Sequence, residues 1–147
     1  SALRDRDVRY VFVFMHKTFF FQNEVLAEKK DSMAGPNEWK CYGSKPFRAF
    51  MDEVLIPAAA QKPVYLFAGD VGAWGNMTPY YEQHPDAALT LVMTGLGDTD
   101  RDNILHVHVD GSQVTIESIL LNGMTPQPLE QFDAEYWEDI ATRTPLP

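Results

Sequence analysis

Val8-Arg9-Tyr10-Val11-Phe12-Val13-Phe14-Met15-His16-Lys17 decides the architecture. β-Branched and aromatic side chains fit a pleated backbone better than a helix, and here they run almost without polar alternation. The pattern predicts a strand covered on both faces, as in the interior of a helix-flanked sheet. A second run of this kind, Pro63-Val64-Tyr65-Leu66-Phe67-Ala68, stops at Gly69-Asp70-Val71-Gly72. Between the two, Pro46 opens a stretch with Phe47, Phe50, Met51, Val54 and Leu55 at helical spacing, which Pro57 should end or kink. Strand, helix and strand in that order predict a parallel unit with a right-handed crossover.

Further along the chain, Ala87 to Thr94 reads as a third strand, closed by Gly95-Leu96-Gly97. Asn103 to Val109 and Gln113 to Leu121 read as two more, joined by the hairpin signal Asp110-Gly111. From Pro128 the chain reads as helical, with Leu129, Phe132, Tyr136, Trp137 and Ile140 forming one buried stripe. Lys17 to Lys45 is expected to be irregular, since Asp31-Ser32, Gly35-Pro36-Asn37 and Gly43-Ser44 are turn chemistry. The fold class that follows is α/β, a layered mixed β-sheet flanked by helices.

The 147 residues are the size of a single domain, and 45% hydrophobic against 22% charged residues allows it a real core. Cys41 is the only cysteine, which excludes a disulfide framework, a zinc ribbon and a CxxC redox site. Residues 1 to 48 carry nine Lys or Arg against six Asp or Glu, a balance of +3. Residues 49 to 147 carry three against fifteen, a balance of −12, and the two add to −9. Such a chain repels phosphate backbones, so nucleic-acid binding is not expected, whereas its field suits cation capture. The apolar run from Val8 to Phe21 is broken by Arg9, His16 and Lys17 and is too short to span a bilayer. Arg4, Asp5, Arg6 and Asp7 form a mixed-charge start unlike a signal peptide.

Polar residues fall at the ends of the predicted strands. His16 follows the first, Asp70 the second, and Gly95, Gly97 and Asp98 the third. Ligands of open α/β sheets bind beyond the carboxyl ends of the strands, so parallel strands would gather these positions along one rim. Glycines there would permit close backbone approach and positive φ. The plainer reading makes His16-Lys17 the polar start of a loop and Gly69-Asp70 an ordinary turn.

Four elements, in order from residue 8 to about residue 121, resemble the calcineurin-like metallophosphoesterases. Phe12-Val13-Phe14-Met15-His16-Lys17 is similar to the family's strand that delivers a late histidine to a two-metal centre. Leu66-Phe67-Ala68-Gly69-Asp70-Val71-Gly72 stands where the family has a strand ending in GHxH. Leu91-Val92-Met93-Thr94-Gly95-Leu96-Gly97 and Asn103-Ile104-Leu105-His106-Val107-His108-Val109-Asp110-Gly111 resemble its closing strands. Both histidines of GHxH are replaced, by Asp70 and Gly72. Aspartate can ligate a hard or borderline cation and glycine's side chain cannot. The first-half motifs DxH, GDxxD and GNH[DE] have no counterpart before residue 8, so the chain resembles the C-terminal half of such a domain.

The resemblance implies metal-assisted hydrolysis of a small-molecule phosphate ester at a centre completed by an N-terminal half. The metal would be Mn, Fe, Zn or Ca, with His16 and Asp70 as ligands. Gly69, Gly72, Trp74, Gly95, Gly97 and Asp98 would surround them. No residue is assigned a catalytic role. The alternative is a non-catalytic binding or scaffolding module that kept the fold with a degenerate metal site, and a hydrolase with an unrelated catalytic set on the same sheet is a third reading.

Other signals carry less. His106 and His108 share one strand face and a spacing that can chelate a metal, but the expected reading is that Ile104, His106 and His108 face solvent or a polar groove while Leu105, Val107 and Val109 fill the core. Asp98 to Asn103 imitates a calcium loop but lacks its glycine and glutamate. His84-Pro85-Asp86 is turn chemistry. Trp74, Tyr80 and Tyr81 lie in a stretch read as loop, where they either wall a pocket or, the preferred reading, pack against Phe19, Phe20 and Phe21. Cys41, without an identifiable base, is an incidental thiol. Neither a nucleophile elbow nor a P-loop is present.

Overall fold

The two apolar runs do pair as parallel neighbours. The structure, a computed structural model, describes residues 7–16, 40–42, 45–69, 79–94, 102–123 and 125–143. In chain order it contains β1 (Val11–Met15), β2 (Lys40–Tyr42), β3 (Lys45–Pro46), α1 (Phe47–Phe50), a π-helical segment (Met51–Leu55) and α2 (Ile56–Ala59). There follow β4 (Val64–Ala68), β5 (Tyr80–Gln83), β6 (Leu89–Met93), β7 (Asn103–Asp110), β8 (Gln113–Leu120) and β9 (Thr125–Gln127). A 3-10 turn (Leu129–Phe132) leads into α3 (Ala134–Arg143).

The main sheet has the order β1-β4-β6-β5. β1 runs parallel to β4 from Val11↔Val64 to Met15↔Ala68, and β4 runs parallel to β6 from Val64↔Leu89 to Ala68↔Met93. β5 is antiparallel to β6, which makes the sheet mixed. Period-two alternation then sorts the side chains. Val64, Leu66 and Ala68, with Val11, Val13 and Met15 beside them, pack against Phe47, Met51, Leu55 and Trp137 from the helices. On the reverse face Phe67 and Val92, with Phe12, Tyr65 and Tyr81, pack against Leu105, Val107 and Ile116 of an antiparallel sheet, β7-β8-β9.

The layers are therefore helices, mixed sheet and second sheet. An α/β class with a mixed sheet is what the sequence led us to expect. Helices on both sides are not what the described residues form, because the alternating β7 and β8 present one apolar face and cover the reverse side as strands.

Three further expectations are corrected. Among the described residues β1 has one strand neighbour, β4, so it is an edge rather than an interior strand, and Phe14 is 75% exposed. Tyr80 and Tyr81 lie in β5, not in a loop, because pairing with β6 satisfies their backbone groups. Val109 is 47% exposed where it was expected in the core, since it sits at the hairpin end of β7. The hairpin forms as read, but its two turn residues are Gly111 and Ser112, because Asp110 pairs with Gln113 at the end of β7, and Ser112 N–H and Oγ–H donate to Asp110 Oδ1 at 3.2 and 3.0 Å.

Pro57 does not end the helical stretch. Proline offers no N–H to the carbonyl four residues back and its ring crowds that carbonyl. The chain widens into the π segment immediately before it, with Ile56 N–H reaching back to Met51 O, and resumes as α2. At the C-terminal end, Asp133 Oδ1 accepts the Tyr136 N–H at 3.0 Å and caps α3. α3 in turn buries Trp137 completely against Tyr80, with ring centroids 6.2 Å apart, while the indole N–H donates to Pro79 O at 2.9 Å. The Tyr80 hydroxyl donates to Glu82 Oε2 at 3.0 Å, and burial beside that carboxylate pushes its pKa far up.

Two stability outcomes follow. Trp137→Phe removes the donor from Pro79 O and leaves a smaller ring, and we expect a loss of about 2 kcal/mol in urea denaturation. Ser118 is fully buried and its hydroxyl has no hydrogen-bond partner among the described residues. Ser118→Ala should therefore hold or raise the denaturation midpoint, by up to ~1 kcal/mol, and a clear drop would mean that the hydroxyl is satisfied.

Candidate functional site

Because β1, β4 and β6 are parallel and in step, Met15, Ala68 and Met93 end at one level. The next residues tie the three ends together. Gly69 N–H donates to His16 O at 3.1 Å, and Thr94 N–H donates to Ala68 O at 3.1 Å. A Cβ built on Gly69 would lie 3.4 Å from His16 O and 3.9 Å from Thr94 O. Gly69 thus sits between the other two strand ends, and the His16 side chain is exposed at this rim.

Across the rim stands the start of β7. Asn103 is 1% exposed, and Thr94 Oγ1 donates to both its backbone oxygen, at 3.2 Å, and its Oδ1. This contact fixes the end of β6 to the beginning of the second sheet. Between the two sheets a cleft of about 410 Å³ opens. Phe14, Met15, Phe67, Ala68 and Gly69 line it from the main sheet. Ile104, Leu105 and Val107 line it from β7, and Thr94 and Asn103 supply its polar end. Nearly all of that surface is hydrocarbon.

Of the residues singled out from sequence, His16 and Gly69 are brought together. Asp70, Gly72, Trp74, Gly95, Gly97 and Asp98 lie outside the described residues. Gly69 itself does not need the conformational freedom of glycine. Among the described glycines only Gly123 has positive φ, at 90°, and the Cβ distances at Gly69 are ordinary contacts. Among the described residues no group of three or more His, Cys, Asp or Glu could hold a metal ion. His106 Nδ1 lies 3.5 Å from Glu117 Oε2, both side chains about half exposed, a cross-strand surface pair on the outer face of β7 and β8.

Sequence reading missed the cleft and its aromatic floor. The signal was the alternation Tyr10, Phe12, Phe14 beside Tyr65, Phe67, which two-sided burial hid. Once paired, these rings form a ladder across β1 and β4. Phe12 stacks on Tyr65 and Phe67 with centroids 5.5 and 6.1 Å apart, and Phe14 stacks on Phe67 at 5.2 Å and 17°.

A second, more polar hollow of about 210 Å³ lies between the same sheets, lined by Tyr65, Tyr81, Gln83, Thr90, Thr115 and Glu130. Burial raises the pKa of both tyrosines. Glu130 adds to the rise at Tyr81 and Tyr10 to that at Tyr65, so both hydroxyls remain donors at neutral pH. No helix among the described residues is long and apolar enough to cross a membrane. Comparison with family models, with curated proteins and with solved structures gives no match to this chain.

The rim geometry predicts opposite outcomes for two glycines. Gly69→Ala should change stability by less than about 0.5 kcal/mol, whereas Gly123→Ala, forced to positive φ, should cost about 1 kcal/mol. Thermal or urea denaturation of the two variants distinguishes them, and a costly Gly69→Ala would show that the rim is tighter than these distances.

Proposed function

We propose that the chain is part of a metal-dependent phosphoesterase domain that hydrolyses a small-molecule phosphate ester, with its metal centre completed by an N-terminal half. The single observation that carries this reading is the contact between His16 and Gly69. Two motifs some fifty residues apart, each placed by the resemblance beside a metal, end on adjacent strands joined by a backbone hydrogen bond.

The residues of this chain fit such a centre in part. His16 offers an exposed imidazole at the rim, and Asp70, the next residue after Gly69, offers a carboxylate. Gly72 offers no side-chain donor, so on this proposal the remaining ligands come from the N-terminal half. When bound, divalent ions would polarise the phosphoryl group, neutralise its developing charge and lower the pKa of a water. The chain's own part is to hold the backbone that carries His16 at the rim, through the β1–β4 ladder and the Gly69 N–H bond to His16 O. The −12 balance of residues 49 to 147 favours cations over anions around the chain as a whole.

The second reading is a non-catalytic binding or scaffolding module. Gly72 favours it, since a position that the resemblance assigns to a ligand has no donor.

Metal titration of the purified chain tests the proposal. One Mn or Zn ion should bind per chain, and His16→Ala should weaken it by about tenfold or more without moving the melting temperature. A chain with no stoichiometric metal, unchanged in every property by His16→Ala, ends the phosphoesterase reading. Metal binding that stays inert toward phosphate esters once a complementary N-terminal half is supplied favours the module.

A further inference from the structure

The geometry points to the cleft beside Gly69 as a subsite for a planar aromatic group, the apolar part of a small ligand whose polar end lies at the rim. That this polar end is a phosphate rests on the phosphoesterase reading, whereas the ring subsite does not.

Phe14 is the most exposed large apolar side chain among the described residues, at 75%, and it faces into a concave space rather than standing alone. Its ring lies within 17° of parallel to Phe67, which is 6% exposed and forms the floor. Tyr10 meets Tyr65 edge-on, whereas Tyr65, Phe12, Phe67 and Phe14 stack in succession, and Phe14 is the last of them at this end of β1. A flat ring entering the cleft continues that series, with the electrostatics that favour offset stacking. Ile104, itself 41% exposed, supplies apolar contact on the opposite wall.

The cleft volume of about 410 Å³ lies in the range of small-ligand pockets, roughly 300–1,000 Å³. Its polarity is confined to one end, where Thr94 Oγ1 already donates to Asn103. An all-polar ligand would displace water without replacing its hydrogen bonds. A ring with one polar substituent releases water from hydrocarbon and leaves its substituent beside His16 and Gly69.

The test uses 1-naphthol and 1-naphthyl phosphate as probes, titrated against the full chain in EDTA and again with Mn²⁺. Both should bind in EDTA, and Phe14→Ala should weaken both by about tenfold with no fall in melting temperature, because the side chain is mostly outside the core. Ile104→Ala, on the other wall, should weaken both by a few fold and serves as the independent variant. The saturated analogue decahydro-1-naphthol should bind at least fivefold more weakly.

Naphthol binding that depends on Phe14, with no gain from the phosphate in Mn²⁺ even once a complementary N-terminal half is supplied, upholds the subsite and removes the phosphoesterase reading. Naphthyl phosphate that binds no better than glycerol phosphate, or that ignores both variants, overturns the subsite and leaves that reading standing. Equal affinity for the saturated analogue overturns the aromatic assignment. Self-association that Phe14→Ala abolishes, with no naphthol bound, makes the face a contact between copies and likewise overturns the proposal.

Discussion

Strand β4 has no face left to water, and the rest of the molecule is arranged around that constraint. Its apolar side chains alternate between two different layers, Val64, Leu66 and Ala68 toward helices and Tyr65 and Phe67 toward a second sheet. A strand so placed must satisfy its backbone on both edges, which β1 and β6 do in matching register. Parallel pairing requires a long crossover, and the helical stretch from Phe47 to Ala59 supplies both the crossover and one of the layers. The common level at which the three strands stop is a by-product of that register. A level rim is obtained with no residue dedicated to building it.

The parallel unit was legible because it rests on local chemistry. Unbroken apolar runs, a proline-opened helix and an Asp-Gly hairpin each announce themselves in a few residues. What was not legible depends on neighbours. The composition of β1 matches that of an interior strand, and only the strand order shows that its aromatic side is partly open. β5 hid because Tyr80-Tyr81-Glu82-Gln83 is short and sits among turn residues, and its pairing with β6 is a tertiary fact. Pro57 correctly signalled a disturbance, but whether a helix stops or widens depends on what holds both ends, and here Met51 and Ala59 are both buried in the core.

The candidate site divides in the same way. His16 could be read from its place after a strand. The cleft could not, because its two walls come from sheets that meet only in the folded chain, and its most exposed ring, Phe14, looked like core. The result is a boundary between hydrocarbon and polar chemistry running along one row of residues, with Gly69, Thr94 and Asn103 on the line. A ligand in register with that boundary would be oriented by it, and no charged clamp is needed to choose which end goes in.

Gly69 closes β4 with its N–H held by His16 O, and Pro79 stands just before β5 with its carbonyl held by the indole of Trp137. These two posts are therefore fastened to different parts of the core, one to the first strand and one to the last helix. Loss of the Trp137 indole would free the second post and leave the first in place.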